Sequence, residues 1–86
     1  MRPLNYEILK YFTRVEKGCA NDVYEALEND YKNHKAFRKD LIIEALMTAK
    51  ENGLIDEADY VLLGDELVVY YQASQEQKDT INSYIK

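Results

Sequence analysis

The chain has 86 residues, 47% of them apolar, and 16 acidic against 11 basic residues give a net charge of −5. This length suffices for one small domain (1–86), in which nearly every element must contribute its apolar face to a single core. The longest apolar runs fall far short of the roughly 20 residues that span a bilayer, and no signal-peptide pattern follows Met1. We expect a soluble, cytoplasmic domain without membrane contact.

The residue types that most often carry catalysis or bind metals are scarce. Cys19 is the only cysteine and His34 the only histidine, so an internal disulfide and a Cys/His zinc site are both excluded. A Ser-His-Asp or Cys-His arrangement would have to use His34, which is far from Cys19 in the sequence. The glycines stand alone, so there is no phosphate-binding loop. We expect a protein without enzymatic activity, metal or cofactor.

Two amphipathic helices are predicted in the first third of the chain. The first runs from Asn5, a suitable N-cap, to Val15, and Gly18 follows as a stop. The second begins at Asn21 or Asp22, which are also suitable caps. Helical spacing of apolar residues supports both: Ile8, Phe12 and Val15 in the first, and Val23, Ala26, Leu27 and Tyr31 in the second.

The longest periodic block predicts a third helix, which begins at about Ala36 or Asp40 and ends at Asn52. Gly53 then provides a left-handed C-terminal cap. Its broad apolar face consists of Leu41, Ile42, Ala45, Leu46 and Ala49. If Asp40 caps this helix, the outward face carries Glu44, Thr48 and Glu51.

From Tyr60 the apolar period changes to two, which predicts a β-hairpin. The runs 60–63 and 66–71 are joined by Gly64-Asp65, a two-residue turn with glycine first. This turn places Leu62 opposite Leu67 and Val61 opposite Val68, so both faces are apolar and both need cover. The preceding acids Asp56, Glu57 and Asp59 lack the spacing of a calcium loop and are interpreted as a solvated turn.

The last predicted element is a short helix over about 75–85 that leaves the body of the domain. Ser74 and Gln77 have the spacing of a capping box. The helix carries a narrow apolar stripe formed by Ile81, Tyr84 and Ile85. Such a stripe must dock either on the chain's own first helix or on a partner subunit.

Three helices, a hairpin and a helix follow one another in the order of a winged helix-turn-helix domain, an α+β fold. Two segments also resemble known winged-helix families in their amino-acid sequence. Glu51-Asn52-Gly53-Leu54-Ile55-Asp56 resembles the end of the recognition helix in PadR- and MarR-like regulators. Tyr70-Tyr71-Gln72-Ala73-Ser74-Gln75-Glu76 resembles the exit from the second wing strand in PadR-like proteins.

The chain departs from the family pattern at Ala73, where the family usually has a larger aliphatic residue, and at Gln77, where it usually has glycine. The resemblance implies a homodimer formed through the terminal helix, with Ile81, Tyr84 and Ile85 at its interface.

Positive charge is concentrated in the nine residues 31–39, which contain four Lys or Arg and no acid, whereas the rest of the chain has 7 basic and 16 acidic residues. In a helix-turn-helix, this segment meets the phosphates of double-stranded DNA. The predicted DNA-binding residues are Lys32, His34, Lys35, Arg38 and Lys39. Arg38 is the one able to make a bidentate contact to guanine. We therefore expect a small DNA-binding protein that acts as a transcriptional regulator.

The acidic hairpin favours an alternative. Residues 51–77 contain seven acids and no Lys or Arg, and a Gly64-Asp65 tip is too short and too negative to hold a phosphate. The eight tyrosines are suited to half-buried positions and protein interfaces. The alternative is therefore a winged helix that binds a protein partner instead of DNA.

Overall fold

The computed structural model describes residues 2–85 and has the predicted α+β composition. Four helices and one two-stranded antiparallel sheet follow in the order α1 (Leu4–Tyr11), α2 (Ala20–Tyr31), α3 (Lys39–Glu51), β1 (Asp56–Leu63), β2 (Glu66–Gln72) and α4 (Gln75–Tyr84). Over these residues, every helix is too short or too polar to cross a bilayer.

The core lies where α1, α2 and α3 meet the base of the hairpin. Its largest fully buried side chains include Phe12, Val23, Ile42, Leu46 and Ile55. Each such side chain contributes about 1.5–3 kcal/mol by leaving water. Tyr71 brings the end of β2 into the same cluster, so the hairpin is attached to the helices by its base.

The first two helices begin earlier than predicted. α1 starts after Pro3, whose fixed φ suits a helix entrance, and Asn5 lies inside the helix. It ends at Tyr11 because the next residues form tighter turns, in which the Thr13 hydroxyl donates to the Lys10 carbonyl over 2.7 Å. The N-cap of α2 is Cys19, and the predicted caps Asn21 and Asp22 lie in its first turn.

The third helix begins between the two predicted starting points. Arg38 is its N-cap with an extended backbone, so Asp40 lies in the first turn and does not cap the helix. The predicted end is confirmed, because Asn52 is the C-cap and Gly53 follows at φ 76°. Glycine is favoured there because a Cβ is strained at positive φ.

The hairpin has the predicted register, with Leu62 opposite Leu67 and Val61 opposite Val68, and Gly64 has a φ of 61° in the turn. Strand β1 is longer than predicted, however. The acids Asp56, Glu57 and Asp59 belong to β1 and not to a turn, although all three are exposed. The alternating pattern is hidden here because the register shifts at a bulge between Glu57 and Asp59.

The last helix starts with the predicted capping box, in which the Gln77 amide donates to Ser74 Oγ over 3.1 Å. The predicted departure of this helix from the domain is wrong, whereas docking of its stripe on the first helix, one of the two predicted alternatives, is confirmed. α4 contacts α1, and Lys10 Nζ donates to Asn82 Oδ1 over 2.6 Å. Ile81 and Ile85 are 1% and 4% exposed. Both isoleucines of the predicted dimer interface are therefore buried within the chain's own fold, and Tyr84, 78% exposed, is the member of that stripe that remains at the surface.

Candidate nucleic-acid interface

The segment 32–39, which we call the basic turn, connects α2 to α3. Its two ends are anchored by the buried rings of Tyr31 and Phe37. Backbone bonds then fold the segment tightly: the His34 amide donates to the Tyr31 carbonyl over 2.8 Å, and the Phe37 amide donates to the His34 carbonyl over 3.0 Å. Two inward aromatic residues thus force the polar residues between them to the surface.

The lysines of the basic turn are exposed at the corner where α2 ends and α3 begins. Lys32 and Lys35 lie on the turn, and Lys39 is the first residue of α3. The ammonium of Lys39 lies 5.3 Å from the ring centre of Tyr24, which itself stacks on Phe37 at 4.5 Å. A cation above an aromatic face is attracted to it, so Lys39 is held toward α2.

His34 is also exposed, and one of its ring nitrogens is already used. The Ala36 amide donates to His34 Nδ1 over 3.2 Å. The neutral ring therefore carries its proton on Nε2. That Nε2–H is the donor that His34 can offer to a ligand at this corner.

Arg38 does not present a free guanidinium. Its Nε and Nη2 donate to the two carboxylate oxygens of Asp40 over 3.1 and 2.6 Å. This hydrogen bonding raises the pKa of Arg38 and lowers the pKa of Asp40. The two-point face that was predicted to contact guanine is thus occupied by a carboxylate two residues away.

The outward face of α3 combines acids with apolar side chains. Glu44, Thr48 and Glu51 are exposed, as expected. Sequence reasoning did not identify Ile43 and Met47, which are 49% and 56% exposed on the same helix. The sequence does carry a signal for this pair. The two residues are four positions apart, which puts them on one side of the helix, and that side is not the predicted core stripe.

A groove of about 450 Å³ lies between α1 and α3. It is lined mainly by Ile8, Leu9, Leu41, Ala45 and Leu54, with Glu44 at one side. Over residues 2–85, no three His, Cys, Asp or Glu side chains are grouped to hold a metal ion. The polar side chains that line the groove are Asn5, Thr48 and Asn52 besides the carboxylate of Glu44.

Comparison with protein-family models finds no matching family, and searches of curated proteins and of solved structures find no match. A function has to be argued from the residues of a site, since a fold by itself does not determine one. Three surfaces are distinctive: the basic turn has exposed lysines, and α3 and the hairpin have exposed apolar side chains.

Proposed function

We propose that the chain is a winged helix-turn-helix protein that binds double-stranded DNA as a transcriptional regulator or an accessory protein of that kind. In this proposal α2 and α3 form the helix-turn-helix, and the hairpin 56–72 is the wing. The order of the elements supports the proposal, and so does the short connection from Gly53 to β1. The basic turn then lies where such domains meet the DNA backbone.

The observation that carries the proposal is the exposure of Lys32, Lys35 and Lys39 around one corner in a segment without acids. Duplex DNA attracts such a corner because each lysine that neutralises a phosphate releases condensed counterions. The start of α3 adds its helix dipole, which favours anions. The corner is therefore a phosphate-binding surface in an otherwise acidic molecule.

The ion pair of Arg38 with Asp40 regulates access to this surface. Both side chains are 63% exposed, and an ion pair that is screened by water contributes little to stability. A phosphate group can replace the Asp40 carboxylate at little cost, because two of its oxygens offer Arg38 the same bidentate geometry. In this proposal Arg38 changes partner when DNA binds.

Acidic residues on α3 and on the wing restrict the proposed DNA contact to the basic turn. The outward face of α3 holds Glu44 and Glu51, and the wing holds five acids and no Lys or Arg. A single basic turn makes only a modest site, so we propose a homodimer that presents two of them. Tyr84 is the exposed residue of the terminal helix that would contribute to such an interface.

Fluorescence anisotropy with a labelled duplex of mixed sequence tests DNA binding. Three phosphate contacts per site predict that affinity falls about 40-fold between about 50 and about 200 mM NaCl. Lys35→Ala should weaken binding several-fold and make the logarithmic salt slope shallower by about 1. The matched control is Lys78→Ala, which removes the same charge from α4 and should leave both quantities unchanged.

Two results would contradict the proposal. One is the absence of binding at about 50 mM salt, where non-specific DNA affinity is strong. The other is equal weakening by Lys35→Ala and Lys78→Ala, because net charge would then account for the binding without a localised site.

A second candidate function is a winged helix that binds a protein instead of DNA. The specific observation in its favour is the exposed pair Ile43 and Met47 on the helix that would enter the major groove. Apolar side chains between carboxylates suit a protein surface better than base edges. If the duplex does not bind, and Ile43→Ser/Met47→Ser abolishes capture of a partner, this candidate replaces the first.

A further inference from the structure

The outer half of the hairpin exposes an apolar patch. Tyr60, Leu62 and Leu67 are 55%, 69% and 59% exposed. In the observed register Leu62 pairs with Leu67 and Tyr60 with Val69, so these side chains share one face of the sheet. We call Tyr60, Leu62 and Leu67 the hairpin patch.

The hairpin patch continues the face that enters the core. Val69 and Tyr71 follow Leu67 at alternate positions of β2, and both pack against the core cluster. The helices therefore cover the base of this face and leave its outer half open. Large apolar side chains gathered on one exposed face are typical of an interaction site.

The charge around the patch selects the kind of partner. All five acids of the hairpin are exposed, namely Asp56, Glu57, Asp59, Asp65 and Glu66. The register places Glu57 opposite Tyr71 on the face of the patch, and Asp65 lies in the turn at its outer end. The other three acids belong to the opposite face of the same two strands. Among the described residues, Asp59 is paired with Lys17 at 3.5 Å. Glu57 accepts a hydrogen bond from the Tyr60 hydroxyl, which holds that ring at the edge of the patch. Residues 56–72 contain no Lys or Arg. A hairpin with this charge repels nucleic acids and anionic lipids, whereas lysines and arginines are attracted to it.

The spacing of the patch matches a helix. Tyr60 and Leu62 are separated by about 7 Å along the strand, from a rise of about 3.3–3.4 Å per residue. Apolar residues four apart on a helix are separated by about 6 Å along its axis. One turn of a helix can therefore place two apolar side chains over the patch while its polar flanks reach the acids.

We propose that the hairpin patch docks a basic amphipathic helix of another protein. The partner's apolar stripe packs on Tyr60, Leu62 and Leu67, and its flanking Lys and Arg residues meet the hairpin acids. This surface is separate from the basic turn, so the inference does not depend on DNA binding.

The test uses the full chain and a designed probe, a fluorescent helical peptide of leucines on one face and lysines on the other. A matched peptide has every lysine replaced by glutamate. We expect the lysine peptide to bind and the glutamate peptide not to bind, and amide shifts in the ¹⁵N-labelled protein to lie within residues 56–72. Leu62→Ser/Leu67→Ser should weaken binding at least about tenfold by removing apolar contact.

The matched control is Ile43→Ser/Met47→Ser, which removes two exposed apolar side chains from α3 and should leave affinity within about twofold, well below a tenfold effect of 1.4 kcal/mol. Far-UV circular dichroism checks that both variants are folded. Equal weakening by the two variants, binding of the glutamate peptide, or shifts centred outside the hairpin would overturn the proposal. Self-association in sedimentation that Leu62→Ser/Leu67→Ser abolishes would also overturn it, because the occupant would then be a second copy.

Discussion

The guanidinium of Arg38 and the carboxylate of Asp40 face each other in a two-point contact, with donor–acceptor distances of 3.1 and 2.6 Å. The contact forms because α3 begins at Lys39, which leaves Arg38 extended and places Asp40 in the first turn. There Asp40 occupies a position that also suits a phosphate oxygen, near the positive end of the helix dipole. In the proposed DNA complex, Asp40 would therefore compete with a phosphate for Arg38.

Asp40→Asn should increase affinity for duplex DNA. The substitution removes one negative charge at the site and releases Arg38 to bind phosphate, and we expect a gain of about 3- to 10-fold in about 50 mM salt. Fluorescence anisotropy against the labelled duplex measures it. Asp79→Asn removes the same charge from the exposed side of α4 and should produce a much smaller gain. Equal gains in the two variants would show that Arg38 is not involved.

Glu7 forms ion pairs with both Arg2 and Arg14 and should therefore contribute to the stability of the fold. Its carboxylate accepts from Arg2 over 2.9 Å and from Arg14 over 3.3 Å. Partial burial alone would raise the pKa of Glu7, but the hydrogen bonds from Arg2 and Arg14 lower it overall. Since these pairs are partly exposed, Glu7→Gln should reduce the free energy of unfolding at pH 7 by about 0.5–1 kcal/mol in urea titrations.

The pH dependence of that difference follows from the direction of the shift. A carboxyl with a lowered pKa in the folded state stabilises the fold above its unfolded pKa, here near 4.5, and loses this contribution as the pH falls through the folded value. Parent and Glu7→Gln should therefore converge in acid. A difference that stays constant from pH 7 to the lowest pH at which the protein folds would contradict the role of the Glu7 charge.

Local signals were sufficient to predict several parts of the fold. Gly64 in a two-residue turn fixes the pairing of Leu62 with Leu67, because turn length and glycine position determine the register. Gly53 and the Ser74–Gln77 box were predictable for the same reason, since a cap depends on residues within one turn. These features need no information from distant parts of the chain.

The elements that were predicted incorrectly depend on competing or distant contacts. The start of α2 was missed because Cys19 is an uncommon cap, and it is Asp22 that accepts the Cys19 amide over 3.0 Å. The docking of α4 depends on its contact with α1, more than sixty residues away. At the candidate site, the location of the positive charge was predictable from composition. The pairing of Arg38 was not, because it depends on where α3 begins.

A side chain at Gly18 should force the ring of Tyr11 to move. Its backbone exchanges two hydrogen bonds of 2.9 Å with Tyr71, and a Cβ at Gly18 would lie 2.9 Å from Cε2 of Tyr11. Gly18→Ala should lower the free energy of unfolding by about 1–2 kcal/mol, as is usual for overpacking. In a Tyr11→Leu background the same change should cost less than about 0.5 kcal/mol, because the clashing ring is gone. Additive effects in this double-mutant cycle would exclude the steric explanation.

Substitutions at two positions of α4 should distinguish its contribution to stability from its contribution to self-association. Ile81 is 1% exposed and Tyr84 is 78% exposed, although both belong to the stripe predicted to form a dimer interface. Ile81→Ala should therefore cost about 2–4 kcal/mol of unfolding free energy, because it leaves a cavity, whereas Tyr84→Ala should change it by less than about 0.5 kcal/mol. If the proposed homodimer uses α4, sedimentation at micromolar concentration should show that Tyr84→Ala weakens it. A dimer that Tyr84→Ala leaves intact would place the interface elsewhere. The docking of α4 on α1 would be contradicted if Tyr84→Ala lowered the unfolding free energy as much as Ile81→Ala does.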